Sequence, residues 1–455
     1  MPSSAQLRVT HLAADKAVHR AFHWLHLHQP QLRRWLLEIL AVPAPPFGEA
    51  ARAAWFVERF AALGLVDAHM DAAGNAVALL PAAKDKCGGP STSAAALPSL
   101  GMTASFEDQN LILVSAHLDT VFPAGTSTTP TEDGDRILAP GACDNAAGLT
   151  GLLALAAALR YANLAPAAPI LFAANVGEEG EGDLRGMRHL FTESPFASRI
   201  RAAIALEGAG SSAVVTRALA SRRFRVTVTG PGGHAWTDAG APNPILALAR
   251  GLMALEGIPQ TVPAGLHTHV RTTLNVGQIA GGSAINAIPE SASAWIDLRS
   301  TDPGHLRAAE TALRQSLELW ILHPPVRADW QSSQAASQTG AAHLALAIDV
   351  IGDRPGGSLP EDSPLLATLR GVDRHLHLRT EPALGSTDAN IPLSLGIPAV
   401  AIGSGGMGGG IHTLGEWYDP TGRETALRRV LLTLLDIAAV VAEGGEPGET
   451  SSAGL

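Results

Sequence analysis

The sequence is poor in cysteine, and Cys87 and Cys143 are the only two in its 455 residues. This scarcity excludes a fold held together by several disulfides and favours a reducing compartment, which we take to be the cytoplasm. Long basic runs are also missing, and the net charge is −10. The negative charge argues against nucleic acid or an anionic membrane surface as the main partner.

The sequence also shows no candidate membrane-spanning segment and no signal-peptide core. We find no apolar run long enough to span a bilayer, and the first thirty residues contain charges and histidines where a signal peptide has an apolar core. Hydrophobic residues make up 46% of the chain and charged residues 16%, as in ordinary packed proteins. A chain of 455 residues predicts more than one domain, or one large domain with an insertion.

The stretch Leu111–Thr120 combines an apolar run with two candidate site residues. It begins with four apolar residues, which predict a strand buried on both faces. Strand side chains repeat every two residues, so His117 and Asp119 should point to the same side at the end of the strand. A carboxylate behind a histidine commonly orients an imidazole for metal binding. We therefore predict that Asp119 orients His117 at a metal site.

Other apolar strands are predicted at residues 170–176, 204–206 and 398–402, and an apolar helix is predicted at residues 146–160. Apolar strands that alternate with helices indicate an α/β domain, with a mostly parallel sheet flanked by helices. Each predicted strand is followed by an acid or a histidine. Because ligands bind beyond the carboxyl ends of the strands in such sheets, these residues should converge on one site.

The pattern changes between residues 221 and 356. Strands are predicted at 222–229, 270–279, 291–299 and 344–351, and helices at 244–255 and 303–322. The order strand-helix-strand-strand-helix-strand is that of a ferredoxin-like α+β unit. We therefore predict a main domain made of residues 1–220 and 357–455 and an inserted domain made of residues 221–356. The Pro- and Gly-rich stretch Pro81–Gln109 is predicted to be a surface loop.

Candidate metal ligands follow predicted strands or begin a predicted helix, and they are His117, Asp144, Glu179, Glu207 and His412. Histidines and carboxylates without cysteine are unlike a structural zinc site, which favours thiolates. The set suits two divalent ions with one carboxylate shared between them. Asp144 is the expected bridge, because it stands at a helix start close to the strand ends.

Glu178 directly precedes the candidate ligand Glu179. Adjacent residues leaving a strand point in different directions, so Glu179 can bind metal while Glu178 faces a water as general base. Each residue taken alone has a simpler explanation, since acids and histidines at strand ends are commonly surface or capping groups. Cys143 fits a small buried residue better than a nucleophile. The coincidence of all members at strand ends is what favours a site.

Four segments in order carry a family resemblance: Ser-Ala-His-Leu-Asp-Thr at 115–120, Gly-Ala-Cys-Asp-Asn at 141–145, Gly-Glu-Glu-Gly at 177–180 and Ile-His-Thr-Leu-Gly-Glu at 411–416. Together they resemble the dinuclear zinc exopeptidases and amidohydrolases, a family that includes peptidase T, glutamate carboxypeptidase, aminoacylase and succinyl-diaminopimelate desuccinylase. The resemblance implies His117 and Glu207 on one metal, Glu179 and His412 on the other, and Asp144 on both. It also implies Glu178 as the base.

The inserted domain resembles the same family, and in that family it serves as a lid and a dimerisation domain. Gly-Pro-Gly-Gly-His-Ala at 230–235 implies that His234 binds the oxyanion of the tetrahedral intermediate. The segments at 281–289 and 297–299 imply that Asn286 and Arg299 bind the substrate carboxylate. The alternative for Arg299 is a pairing with a surface acid. The chain departs from the family where Asn-Ala-Ala-Gly follows Asp144, and in the loop at 81–109.

The resemblance and the residues together predict a hydrolase with two Zn²⁺ per chain that cleaves an amide bond in small peptides, with Mn²⁺ or Co²⁺ as alternative metals. The peptide-cleaving branch is favoured by Gly-Asp-Leu-Arg-Gly after the Glu pair and by Trp-Thr-Asp after His234. One rival is a deacylase acting on N-acyl amino acids. Another is a metal-binding protein without activity. A homodimer formed through the inserted domain is expected from the resemblance alone.

Overall fold

The computed structural model describes residues 3–83, 109–258, 270–323 and 343–444. The chain divides into two compact units, the first made of Met1–Ala218 with Ser358–Leu455 and the second of Leu219–Gly357. Most of the predicted loop at Pro81–Gln109 lies outside the described residues. The same holds for the C-terminal residues 445–455.

The described part of the first unit contains two sheets. Its strands are β1 (Val66–Met70), β2 (Ala76–Leu80), β3 (Leu111–His117), β4 (Thr131–Asp133), β5 (Arg136–Leu138), β6 (Ile170–Asn175), β7 (Ile200–Leu206), β8 (Ala213–Ala218), β15 (Gly357–Ser358), β16 (Glu381–Gly385), β17 (Ala399–Ile402), β18 (Met407–Gly409) and β19 (Trp417–Asp419). The larger sheet has nine strands in the order β1-β2-β6-β3-β7-β17-β8-β15, with β16 paired to β8. The smaller has the order β18-β19-β5-β4.

The centre of the large sheet is parallel. Strand β3 pairs in parallel with β6 on one side and with β7 on the other, and β7 pairs in parallel with β17. Strands β3, β6 and β17 are mostly apolar and buried along their whole length, and β7 is buried except at Arg201, because helices cover both faces of such a sheet. Their carboxyl ends therefore meet at one edge. The predicted α/β class with a mostly parallel sheet is confirmed.

Helices surround this sheet in the first unit. They are α1 (Ser4–Ala13), α2 (Lys16–Leu27), α3 (Gln29–Leu40), α4 (Ala50–Ala62), α5 (Gly148–Tyr161), α6 (Arg185–Thr192), α9 (Pro364–Leu376), α10 (Asn390–Ser394) and α11 (Arg423–Ala442). Helix α4 packs on β2, and α5 and α11 pack on β3. Helices α1, α2 and α3 follow one another closely but are separate, because Asp15 caps the start of α2 and Pro30 lies in the first turn of α3.

The segment Ala142–Tyr161 corrects one sequence-based expectation. It has 20 residues, and an 18-residue window within it has a mean hydropathy of 1.4, so by length and composition it could cross a membrane. However, 94% of its most apolar window is buried inside the protein. Its helix α5 packs against α2, α3 and the central strands of the sheet. The apolar composition is explained by this buried position.

In its described residues, the second unit is an antiparallel sheet covered by two helices. Its elements are β9 (Ala220–Thr229), β10 (Gly233–His234), α7 (Pro244–Met253), β11 (Thr272–Gly281), β12 (Ala287–Ile288), β13 (Ser291–Ser300), α8 (Pro303–Leu322) and β14 (Ala345–Arg354). The four long strands lie in the order β11-β13-β9-β14. Alternate residues of β13 are buried, as expected for a sheet with one face covered. This is the split strand-helix arrangement that the sequence predicts.

Sequence patterns missed the short strands of the small sheet. Residues 126–135 are predicted as a loop, but Thr131–Asp133 forms β4 and pairs with β5. Strands of three residues are too short to show an alternating pattern. The small sheet matters for the site, because β5 and β19 flank the segments that carry Asp144 and His412.

Candidate metal centre

The parallel centre of the large sheet brings three predicted site segments to one edge. His117 is the last residue of β3 and lies opposite Asn175 at the end of β6. The Glu178-Glu179 pair follows β6, and Glu207 follows β7, which pairs with the other side of β3. The convergence therefore results from parallel strands of similar register.

Asp144 and His412 reach the same edge from loops. Asp144 lies in the turn that leads into α5, and His412 lies in the loop between β18 and β19. One carboxylate oxygen of Asp144 is 2.9 Å from Nε2 of His117, and the other is 3.1 Å from Nε2 of His412. Asp144 thus faces both histidines at once.

The remaining acids complete two groups around Asp144. Oε1 of Glu207 lies 3.3 Å from Nε2 of His117, and Oε1 of Glu179 lies 3.0 Å from Nε2 of His412. Within each of the groups His117–Asp144–Glu207 and Asp144–Glu179–His412, the potential ligand atoms lie within 4.8 Å of one another. The two groups share Asp144. This is the grouping that the resemblance implies.

Glu178 stands beside the cluster. It is 5% exposed, and its carboxylate belongs to a third group with His117 and Glu179 whose ligand atoms also lie within 4.8 Å. Its neighbour Glu181 is exposed. Glu178 is therefore buried beside the cluster while Glu181 faces solvent, as expected if only Glu178 acts in the site.

The pKa values of the acidic side chains in the cluster indicate that a cation would stabilise their charged forms. Burial raises the pKa of Glu179 to about 7, and the nearby Asp144 carboxylate adds to this effect. Burial also raises the pKa of Glu207. Burial acts to raise the pKa of Asp144 too, but hydrogen bonds from His117 and His412 hold it well below its ordinary value. Crowded carboxylates of this kind are stabilised by a cation between them.

The donor set fits divalent metal ions. Buried Oε2 of Glu207 has no hydrogen-bond partner among the described residues, although leaving a buried charged oxygen unpaired costs on the order of a few kcal/mol. Imidazole nitrogens and carboxylate oxygens suit zinc, manganese or cobalt. Burial raises the pKa of Cys143 to about 12, which disfavours the thiolate that a nucleophile needs, and Cys143 belongs to none of the ligand groups among the described residues.

Asp119 contacts His117, as the sequence predicts, and also binds the backbone of the two glutamates. Nδ1 of His117 lies 3.0 Å from the backbone oxygen of Asp119 and 3.5 Å from its carboxylate. The two carboxylate oxygens accept the peptide N–H groups of Glu178 at 3.0 Å and of Glu179 at 2.8 Å. Asp119 therefore orients His117 mainly through its carbonyl group, while its side chain positions the two glutamates.

The three remaining predicted residues lie in the second unit. His234 on β10 pairs with Ala287 on β12, which brings His234 next to Asn286. Both residues are exposed. Nδ1 of His234 accepts the peptide N–H of Trp236 at 3.2 Å. In its neutral form the ring would therefore carry its proton on Nε2, where it can donate. Arg299 donates to Asp297 at 2.6 Å, which is the alternative considered for it from the sequence.

Glu416 is a residue that sequence reasoning missed. It is fully buried, and its carboxylate accepts three peptide N–H groups from residues 141–144. It lies in the quoted segment at 411–416, but it follows no long strand, so the rule applied to the other acids did not select it.

A family model described as peptidase family M20/M25/M40 matches residues 113–438. A probable carboxypeptidase of Aspergillus clavatus is 32% identical over 202 residues, which are 41% of this chain and 44% of that protein. The chain thus matches less than half the length of this relative.

Solved structures share the fold over nearly the whole chain. The aminopeptidase PepT from Bacillus cereus has a TM-score of 0.63 at 20% identity, with 90% of this chain and 99% of PepT covered. The YXEP protein of Bacillus subtilis, described as a dinuclear metal-binding peptidase of the M20 family, has a TM-score of 0.60 at 14% identity, with 94% and 99% covered. At these identities the likeness concerns the fold.

Proposed function

The chain belongs to peptidase family M20/M25/M40, and from this premise we propose that it cleaves the peptide bond of small peptides with two divalent metal ions. Family membership confirms the resemblance that the four motifs indicate. Zinc as the metal, a homodimer and a cytoplasmic location stay predictions of the sequence.

One observation carries the proposal. The two oxygens of Asp144 face different histidines, at 2.9 and 3.1 Å, and each histidine lies beside a further carboxylate. A carboxylate that only capped a helix or paired with one cation would not need two separate partners of this kind. The arrangement therefore supports a role for Asp144 as a ligand that would be shared by two ions.

We assign the first ion to His117, Asp144 and Glu207, and the second to Asp144, Glu179 and His412. When bound, such ions would lower the pKa of a water in the site and polarise the carbonyl of the scissile amide. Glu178 then takes the proton from the attacking water and delivers it to the leaving amine. Asp119 keeps Glu178 and Glu179 in place through their peptide N–H groups.

His234 is the proposed donor to the oxyanion. Its inferred Nε2–H tautomer suits that task, because Nδ1 already accepts the N–H of Trp236. Arg299 is a weaker candidate for the substrate carboxylate, since its Nε donates to Asp297. Asn286 keeps its proposed role on the resemblance and on its position beside His234.

A substrate panel tests the proposal. The metal-free protein is loaded with zinc, manganese or cobalt and assayed with dipeptides, tripeptides and N-acyl amino acids. We expect two ions per chain and turnover of peptides. Turnover confined to N-acyl amino acids would identify a deacylase instead, and two bound ions with no turnover would favour a metal-binding protein.

A further inference from the structure

Glu416 links the two loops that carry Asp144 and His412. Its Oε1 accepts the N–H of Cys143 at 2.8 Å and of Asp144 at 2.7 Å, and its Oε2 accepts the N–H of Gly141 at 2.9 Å. Both oxygens are occupied by the backbone, so Glu416 is not itself a metal ligand. Its carboxylate thus accepts three peptide N–H groups of the turn that precedes α5, and hydrogen bonds to an ionised carboxylate are stronger than those between neutral groups.

The turn around this carboxylate is closely packed. Gly141 has φ 81°, in the left-handed region that glycine adopts readily, and a Cβ there would lie 2.7 Å from Cγ2 of Thr120. The turn therefore presents its N–H groups to Glu416 in one conformation. Because Asp144 donates one of them, the position of its backbone depends directly on Glu416.

The other end of the link is the loop of His412. His412 itself has φ 64°, a left-handed conformation that is uncommon for a residue with a side chain. Such a conformation persists when the surrounding structure holds it. The loop is closed by Thr413 N–H to Gly410 O at 3.0 Å and by Glu416 N–H to Thr413 O at 3.2 Å. Glu416 anchors the end of this turn.

The two proposed ion sites differ in how much they depend on that anchor. The His117 side chain is fully buried at the end of a central strand, whereas the His412 side chain is 52% exposed on a loop. Packing holds His117 in place, and the loop must hold His412. We propose that Glu416 is a positioning residue that sets the spacing of Asp144 and His412 and thereby the affinity of the second ion. This inference rests on the proposed function.

The test compares Glu416→Gln with Asp436→Asn, a buried acid that accepts hydrogen bonds from Arg8 and Thr368. Zinc is titrated into the metal-free proteins in competition with a chelator, and the Tm of each metal-free protein is measured. His412→Ala should abolish one of the two zinc-binding steps. Glu416→Gln should lower the zinc affinity of that same step by about 10–100-fold and the affinity of the other step by less. Asp436→Asn should lower the Tm and leave both steps unchanged.

Zinc affinities of Glu416→Gln equal to those of the wild type would overturn the inference and leave the proposed function standing. If the wild type bound none of zinc, manganese and cobalt, both the inference and the proposed function would fall. If Glu416→Gln does not fold, Glu416→Asp decides, because it keeps the charge but shortens the reach. It should weaken the same step, and native zinc affinity in that variant would also overturn the inference.

Discussion

Glu178→Gln should lower kcat by about 10²–10⁴-fold while the chain still binds two ions. Glutamine has nearly the same shape, so the peptide N–H bond from residue 178 to Asp119 can remain. What the variant lacks is a carboxylate that can take a proton from the attacking water. Since none of the five assigned ligands is altered, metal binding should be conserved.

The measurement pairs steady-state kinetics on a cleaved peptide with metal analysis of the same sample. Glu181→Gln is the matched control, because it removes the same charge from an exposed side chain in the same loop. The control should keep native turnover. Native turnover in Glu178→Gln would show that another group is the base, and loss of metal from it would make Glu178 a ligand.

Asp144→Asn should remove at least one ion and lower turnover by more than about 100-fold. The reason is that an amide offers one oxygen, while Asp144 presents two oxygens to two histidines. Loss of a group that merely supports a ligand typically costs about 10–100-fold in affinity or activity, and a shared ligand should cost more. The amide N–H₂ would also point its hydrogens at one of the ions.

Metal content after equilibration with excess zinc, followed by removal of free metal, checks this expectation. Asp133→Asn is the control, since it changes one charge at an exposed position on β4. It should bind two ions and keep native turnover. Two tightly bound ions in Asp144→Asn would refute the bridging role, even if activity fell.

The sequence predicted most elements that position the site. The apolar runs ending at His117, Asn175 and Leu206 are buried strands, and this burial is what makes them recognisable. The strand-helix order of the second unit was predictable for a related reason, because alternate residues of β13 face a core. The positions of residues that directly follow such strands could therefore be predicted together with the strands.

Interactions made through backbone groups could not be predicted. Nothing in the residue types shows that the Asp119 carboxylate would accept two peptide N–H groups after β6, or that Glu416 would accept three before α5. The pairing of Arg299 with Asp297 depends on side-chain rotamers within one strand. The length of the apolar helical segment at 142–161 was also underestimated from the sequence, because the polar residues Asp144 and Asn145 interrupt its start.

Diffraction recorded at the zinc absorption edge, from crystals grown with zinc, tests the central claim most directly. The account predicts two anomalous peaks about 3.5–4 Å apart, one beside His117 and Glu207 and the other beside Glu179 and His412, with Asp144 in contact with both. A single peak in this cluster, or none, would contradict the two-ion site.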